Sequence, residues 1–356
     1  MSEPQQFFRS LPVDLVELPD GVLLKRGILE VKIAGEGLMS PLQLVFLLSR
    51  EPSRLDELSD IILPRCKGLS QEQFTNMNSK LIGFGLLEAA NEEASQESET
   101  PYDVYAWNYA GKSLKSLLAE RRVVLLGFNP LTISIASALQ QSQVGKIEML
   151  HVPALTASGI EQDQIPSIED DVPWRLISGD EFNFAITDHA LDVVIGATDI
   201  GNQSALRQWN ELLVKAGTAF LPVSLTDYVG EFGPFVLANA TPCLECLRAR
   251  QNACLEDPKF ARAAERSPLN NRAIVGHHPA MITALSAMVA IEVTRFLFGV
   301  LDNNELSRLV SIEFSEMQMK SRKVLRIPRC GACSSLNVFS GWAPEKVNYV
   351  PRTTSN

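Results

Sequence analysis

Six cysteines stand at positions 66, 243, 246, 254, 330 and 333, and four of them form two pairs of identical spacing, Cys243-Leu-Glu-Cys246 and Cys330-Gly-Ala-Cys333. A Cys-x-x-Cys turn lets two thiolates grip one ion, and two such turns supply the four ligands of a closed tetrahedral zinc site. Four protein ligands leave no open position for a substrate, so Zn2+ here is expected to be structural. It would tie the segment after a central sheet to the C-terminal part of the chain. The competing readings are unrelated buried thiols or redox dithiols; the matched spacing and the count of four favour zinc. Cys66 and Cys254 have no such companions and read as ordinary core or surface thiols.

A second stretch has the form of a nucleotide site. VVLLGFNPLTISIASALQ, residues 123–140, reads as a buried strand, a turn and a helix, the setting of a glycine-rich phosphate loop. A pyrophosphate needs backbone N–H groups brought close by residues without Cβ. This turn has one glycine, Gly127, and Phe128, Pro130 and Thr132 obstruct the approach. ATP is therefore not expected.

These residues need elements to hold them. The 356 residues carry 46% hydrophobic and 21% charged residues, the composition of a globular protein with room for two or three domains. The net charge of −10 argues against a nucleic-acid surface. No apolar run is expected to cross a bilayer, and Met-Ser-Glu-Pro-Gln-Gln starts no signal peptide, which points to the cytoplasm and away from disulfides. After residue 120, strands over 123–126, 147–152, 174–177, 193–195 and 219–223 alternate with helices over 131–140 and 203–215, the pattern of a parallel sheet. A long apolar helix over 280–298 reads as buried. Before it, VELPDGVLLKRGILEVKIAG predicts two or three antiparallel strands. Helices follow from Ser40-Pro41, over 55–63 and over 71–82, and a short strand returns at Leu86-Leu87. This set suggests a winged helix-turn-helix. The acidic stretch EAANEEASQESETPYD reads as a linker. The expected organisation is a winged-helix unit over 1–88, a linker over 89–119, an α/β domain over 120–340 and a tail over 341–356.

The cysteine pairs, the strand–helix order and GEFGPFVLANATPCLECL together resemble the ubiquitin-activating-enzyme-like (ThiF-type) superfamily over about residues 120–335. Asp199, Arg207 and Asn210 match spacings seen there. Family members that adenylate carboxylates imply further parts: an acidic residue after the second strand, where this chain has His151, and an Arg and a Lys in the following crossover. Between Lys146 and Lys215 this chain has only Arg175 and Arg207 as strong cations, and residues 161–171 are rich in Asp and Glu. Asp199, Arg207 and Asn210 then read as a helix cap and packing contacts, and His277-His278 as a loop or cap.

LPDGVLLKRGILEVKIAGEG followed by helices resembles the leader-peptide recognition element of ribosomally made, modified peptides, whose third helix here has little basic charge for DNA. Carried over by position, the peptide groove would involve Leu29, Val31, Ile33, Phe74, Met77 and Leu81. The combination is similar to the SagC-type partner of azoline-forming cyclodehydratases. That resemblance implies a precursor leader peptide as ligand and a separate YcaO-family protein as the ATP user. It also implies a flavin dehydrogenase in the same pathway, a homodimer, no catalytic residues in this chain, and neither nucleic acid nor membrane as partner. The rival readings are an adenylating enzyme acting on a peptide carboxylate and a transcription regulator.

Overall fold

The computed structural model describes residues 6–26, 29–90, 102, 105, 117–157, 172–257, 259 and 276–334. The chain divides into two compact units, Met1–Gly111 and Lys112–Asn356. The break falls inside the segment expected as linker. Most of that segment, the acidic residues 161–171 and the tail 341–356 lie outside the described residues.

In the first unit, Pro19-Asp20 turns β2 (Asp14–Leu18) back onto β3 (Gly21–Arg26), and β4 (Leu29–Ala34) completes an antiparallel sheet of order β2-β3-β4. Three helices follow: α1 (Met39–Leu48), α2 (Leu55–Ile62) and α3 (Gln71–Gly83). Ser70 starts α3 by capping the Gln73 N–H while the Gln73 side chain accepts from the Ser70 N–H. Two elements escaped the sequence reading. Strand β1 (Phe7–Ser10) and the two-residue β5 (Ser53–Arg54) form a second small sheet with β6 (Leu87–Ala90), in the order β5-β1-β6. The returning strand thus pairs with the N-terminus, not with the hairpin strands. Phe-Phe-Arg-Ser is too short to show a period, so it left no signal.

The second unit is built on an eight-stranded sheet. Its parallel half has β7 (Arg122–Leu126), β8 (Lys146–Leu150), β9 (Arg175–Ile177), β10 (Val193–Thr198) and β11 (Phe220–Thr226), in the order β11-β10-β7-β8-β9. Crossovers are α4 (Pro130–Gln141), α5 (Gly179–Thr187) and α6 (Gln203–Ala216). All six residues of β10 are buried, as a strand covered on both faces must be. The antiparallel half was not anticipated: β12 (Val229–Phe232), β13 (Arg308–Glu313) and β14 (Gln318–Lys323) extend the sheet beyond β11. Helices α7 (Leu244–Ala253), α8 (Pro279–Leu297) and the short α9 (Asn303–Leu306) lie between β12 and β13 in the chain.

Helix α8 corrects two expectations. An 18-residue window of it has a mean hydropathy of 1.6, so among the described residues one helix is long and apolar enough to cross a membrane by length and composition. It is also not buried all round. Ile282, Leu285, Val289, Val293 and Leu297 face the core, whereas Ile291 on the opposite side is 55% exposed. Leu285 comes within 3.2 Å of where a Cβ on Gly230 would stand, so that glycine lets α8 sit close on β12.

Candidate functional site

The four paired cysteines meet. Cys243 ends the segment before α7, Cys246 lies in its first turn, and Cys330 and Cys333 follow β14; all four are at most 6% exposed. Their sulfurs lie within 4.8 Å of one another, with Cys243–Cys330 at 3.6 Å, Cys246–Cys333 at 3.5 Å and Cys243–Cys246 at 3.9 Å. A tetrahedron with metal–sulfur bonds of about 2.3 Å has edges of about 3.8 Å, so the cluster fits a tetrahedral ion such as zinc. Supporting contacts hold the turns from outside: Asn210 Oδ1 accepts from the Leu244 N–H at 3.0 Å, and the Ile327 N–H donates to Cys246 Sγ at 3.4 Å. The thiol bond from Cys243 holds Cys246 down to about 4, while burial pushes Cys333 up to about 11. Thiols this close and this buried share protons until a cation replaces them.

The loop after β7 is arranged in the opposite way. Gly127 has φ +83°, and a Cβ there would stand 2.3 Å from the Leu155 carbonyl oxygen. The close approach that requires this glycine is thus made by the chain's own turn at Pro153–Leu155. Four N–H groups of the loop have internal acceptors. Gly127 donates to the Leu150 carbonyl at 2.9 Å, Phe128 to Thr156 Oγ1 at 3.1 Å and Asn129 to Thr132 Oγ1 at 2.9 Å. Pro130 has no N–H, and Thr132 donates to Asn129 Oδ1 at 3.0 Å. Asn129, itself fully buried, also donates through Nδ2 to the carbonyls of Leu155 and Ala197 at 2.8 and 3.0 Å. Phe128 is buried edge-to-face against Trp174.

The other candidate residues sort themselves around this loop. The strand order reverses between β7 and β10, and α/β folds hold ligands at that point, beyond the strand C-termini. Asp199 stands there, 3% exposed, with His277 Nε2 at 3.9 Å. Burial pushes its carboxyl above the ordinary value, opposed by its own N–H, His277 and the Leu131 N–H. His278 caps α8, accepting from the Ala280 N–H at 3.1 Å. Arg207 pairs with Glu245. Arg175 is held by Glu148 at 2.7 Å and Glu181 at 2.8 Å, which raise its already high value further. His151 stands just past the end of β8 and is half-buried.

In the first unit the structure separates the expected groove residues. Val31, Ile33, Phe74, Met77 and Leu81 are at most 7% exposed and belong to one core with Val22, Leu42 and Ile62; Leu29 alone faces solvent, at 37%. What lies open is backbone. Among the described residues β4 pairs only with β3, and the Gly35 N–H donates to the Asp20 carbonyl at 3.1 Å. Alternation from that pair makes Val22–Ile33 and Leu24–Val31 the hydrogen-bonded pairs. The N–H and C=O groups of Glu30, Lys32 and Ala34 therefore point away from β3.

Sequence reasoning missed one polar cavity. Ser224, Thr226, Tyr228, Glu231, Glu313 and Gln203 line a space of about 350 Å³ beside the β11–β12 turn. These residues converge from β11, the turn after it, β12, β13 and α6, and no local motif links them.

No protein-family model matches the chain, and no curated protein sequence does. Solved structures do share its fold. MccB of E. coli superposes with a TM-score of 0.63 at 16% identity, covering 92% of this chain and 97% of MccB. MccB solved with ATP gives 0.63 at 14% identity over 92% and 99%. The heterocyclase TruD gives 0.60 at 15% identity, covering 98% of this chain and 46% of TruD.

Proposed function

We propose that the chain is a zinc-bearing, non-catalytic component of a peptide-modifying assembly. Its first unit, read as a winged-helix recognition element, binds the leader of a ribosomal precursor peptide. It presents the core to a separate ATP-dependent YcaO-family cyclodehydratase that forms azolines from Cys, Ser or Thr. The observation that supports this reading is the loop from Gly127 to Thr132, where the N–H groups of Gly127, Phe128, Asn129 and Thr132 are taken up by the chain itself and Pro130 has none, which disfavours a nucleotide's phosphates. The likeness to TruD, a heterocyclase, agrees with a place in such chemistry. Zinc at the four cysteines holds the second unit together and takes no part in a reaction.

The leader would add as a strand beside β4, bonding to the outward groups of Glu30, Lys32 and Ala34. Val31, Ile33, Phe74, Met77 and Leu81 then serve as the core beneath that strand, and Leu29 is the one side chain of the expected set free to touch it. Lys32→Pro tests this directly, because it removes an outward N–H and leaves the β3–β4 bonds in place. Titration with a fluorescent leader peptide encoded beside the gene should show binding in the micromolar range, weakened about tenfold or more by Lys32→Pro. Equal affinity of both proteins would overturn the groove.

A second reading has a specific observation in its favour. MccB, described as a microcin C7 biosynthetic enzyme and solved both with ATP and with MccA, shares the fold over nearly its whole length. On that reading the chain adenylates a peptide carboxylate. Pyrophosphate exchange dependent on ATP would support it.

A further inference from the structure

The polar cavity beside the β11–β12 turn has no part in the proposed function, and its charge is one-sided. Asp227, Glu231 and Glu313 are among its eight lining residues, and none of the eight is basic. Strand register explains how they meet. Ser224 pairs with Glu231, Thr226 with Val229, and Val229 in turn with Glu313. Cross-strand partners share a face, so Ser224, Thr226, Glu231 and Glu313 project from one side of the sheet. Gln203, the first residue of α6, completes the lining.

Two observations point to a cationic guest. Ser224 lines the cavity and is only 9% exposed, yet its hydroxyl has no hydrogen-bond partner among the described residues. A buried hydroxyl left so costs free energy unless something in the cavity meets it. The carboxylates are also under-compensated. Arg248 and Arg322 act on Glu231 from outside the lining, but burial outweighs them and holds its carboxyl above the ordinary 4.5. Both bonds that Glu313 receives from Ser315 fall on Oε1, at 2.6 and 3.3 Å. The space of about 350 Å³ is at the small end of ligand sites and roomier than a bare metal ion needs. Glu231 and Glu313 are diagonal neighbours across β12 and β13, about 7–8 Å apart. Such a pair flanks a guanidinium or an alkylammonium more readily than it closes on a single ion.

We infer that this cavity binds an organic cation, an arginine or lysine side chain whose charge lies between Glu231 and Glu313 and whose N–H groups meet the Ser224 and Thr226 hydroxyls. That the side chain belongs to the peptide being processed rests on the proposed peptide-modifying role; the cation site rests on the cavity alone. A basic residue of the peptide then becomes a feature this unit selects.

The test titrates the full-length, zinc-loaded protein by calorimetry with Nα-acetylarginine amide and, separately, with Nα-acetyllysine amide, in which the side chain holds the only charge. Nα-acetylcitrulline amide, of similar shape but neutral, is the control, and magnesium chloride is titrated alone. At least one cationic amide should bind saturably, with a Kd on the order of a millimolar, and the citrulline amide should not. The tighter of the two names the side chain. Glu231→Gln and Glu313→Gln should each weaken that binding about tenfold, and Ser224→Ala by less, at unchanged zinc content. Should Glu231→Gln fail to fold, Glu313→Gln carries the comparison. A wild type that binds neither cationic amide, or binds the neutral one equally well, overturns the inference. So does binding that the glutamine variants leave unchanged, and saturable binding of magnesium alone would make the carboxylates a metal site instead. A leader peptide that fails to bind while a cationic amide does would defeat the proposed function and leave this site standing. The reverse result would defeat this site alone.

Discussion

Two helix N-termini in the second unit treat their polar side chains in opposite ways. At the start of α4, Asn129, Thr132 and Thr156 turn inward to the loop backbone. At the start of α7 the backbone is served from a distance by Asn210, and the four cysteine sulfurs converge on one another. The difference separates a closed site from one that needs a ligand. Where a loop's donors and acceptors match internally, nothing remains for a guest; where four thiols converge without counter-charge, a cation completes the arrangement.

The largest effect should come from breaking the cysteine cluster. Cys246→Ser or Cys330→Ser should release zinc, measured by a colorimetric chelator, and cost at least about 3 kcal/mol. At roughly 2–4 °C per kcal/mol for a unit of this size, the melting point falls by about 6–12 °C. Retained metal with an unchanged melt would make the cluster a set of ordinary core thiols. Next, Asn129→Ala removes a capping box and strands two buried carbonyls, a loss of about 2–4 kcal/mol in denaturant unfolding. It should do so without creating nucleotide affinity, since the turn at Pro153–Leu155 stays in place. The smallest effect is on pH dependence. Burial holds the Glu231 carboxyl above its ordinary 4.5, against the pull of Arg248, a Ser311 hydrogen bond and Arg322. A raised folded value means that ionisation disfavours the fold. Relative to Glu231→Gln, wild-type stability should therefore be highest below about 4.5 and decline as pH rises through the raised value. A pH series of urea midpoints with no such divergence would show that Arg248 and Arg322 fully offset the burial.

The same comparison explains what the sequence could and could not reveal. Cys-x-x-Cys spacing is a local signature, so the cysteine cluster was legible although its halves lie 87 positions apart. The single glycine of residues 127–132 was legible as a departure from a phosphate loop. Its actual reason, contact with Leu155, was not, because that contact depends on how the crossover folds back. The parallel strands announced themselves as short, mostly apolar runs. Strands β12 to β14 did not: Gln318–Lys323 is exposed throughout and has no apolar period. In the first unit, alternation in Leu29–Ala34 marked Val31 and Ile33 as one face, but alternation alone cannot say whether that face meets a core or a guest peptide. The neighbours Val22, Leu42 and Phe74 decide it for the core. The Asp199–His277 approach joins residues 78 apart with no motif between them, and only the packing of α8 on α4 brings it about.

The most direct test of the account is calorimetric titration of the purified zinc-bound protein with ATP and magnesium. The self-capped loop predicts no binding heat up to millimolar nucleotide. Saturable binding in the micromolar range would contradict the account and move the adenylating reading to the front.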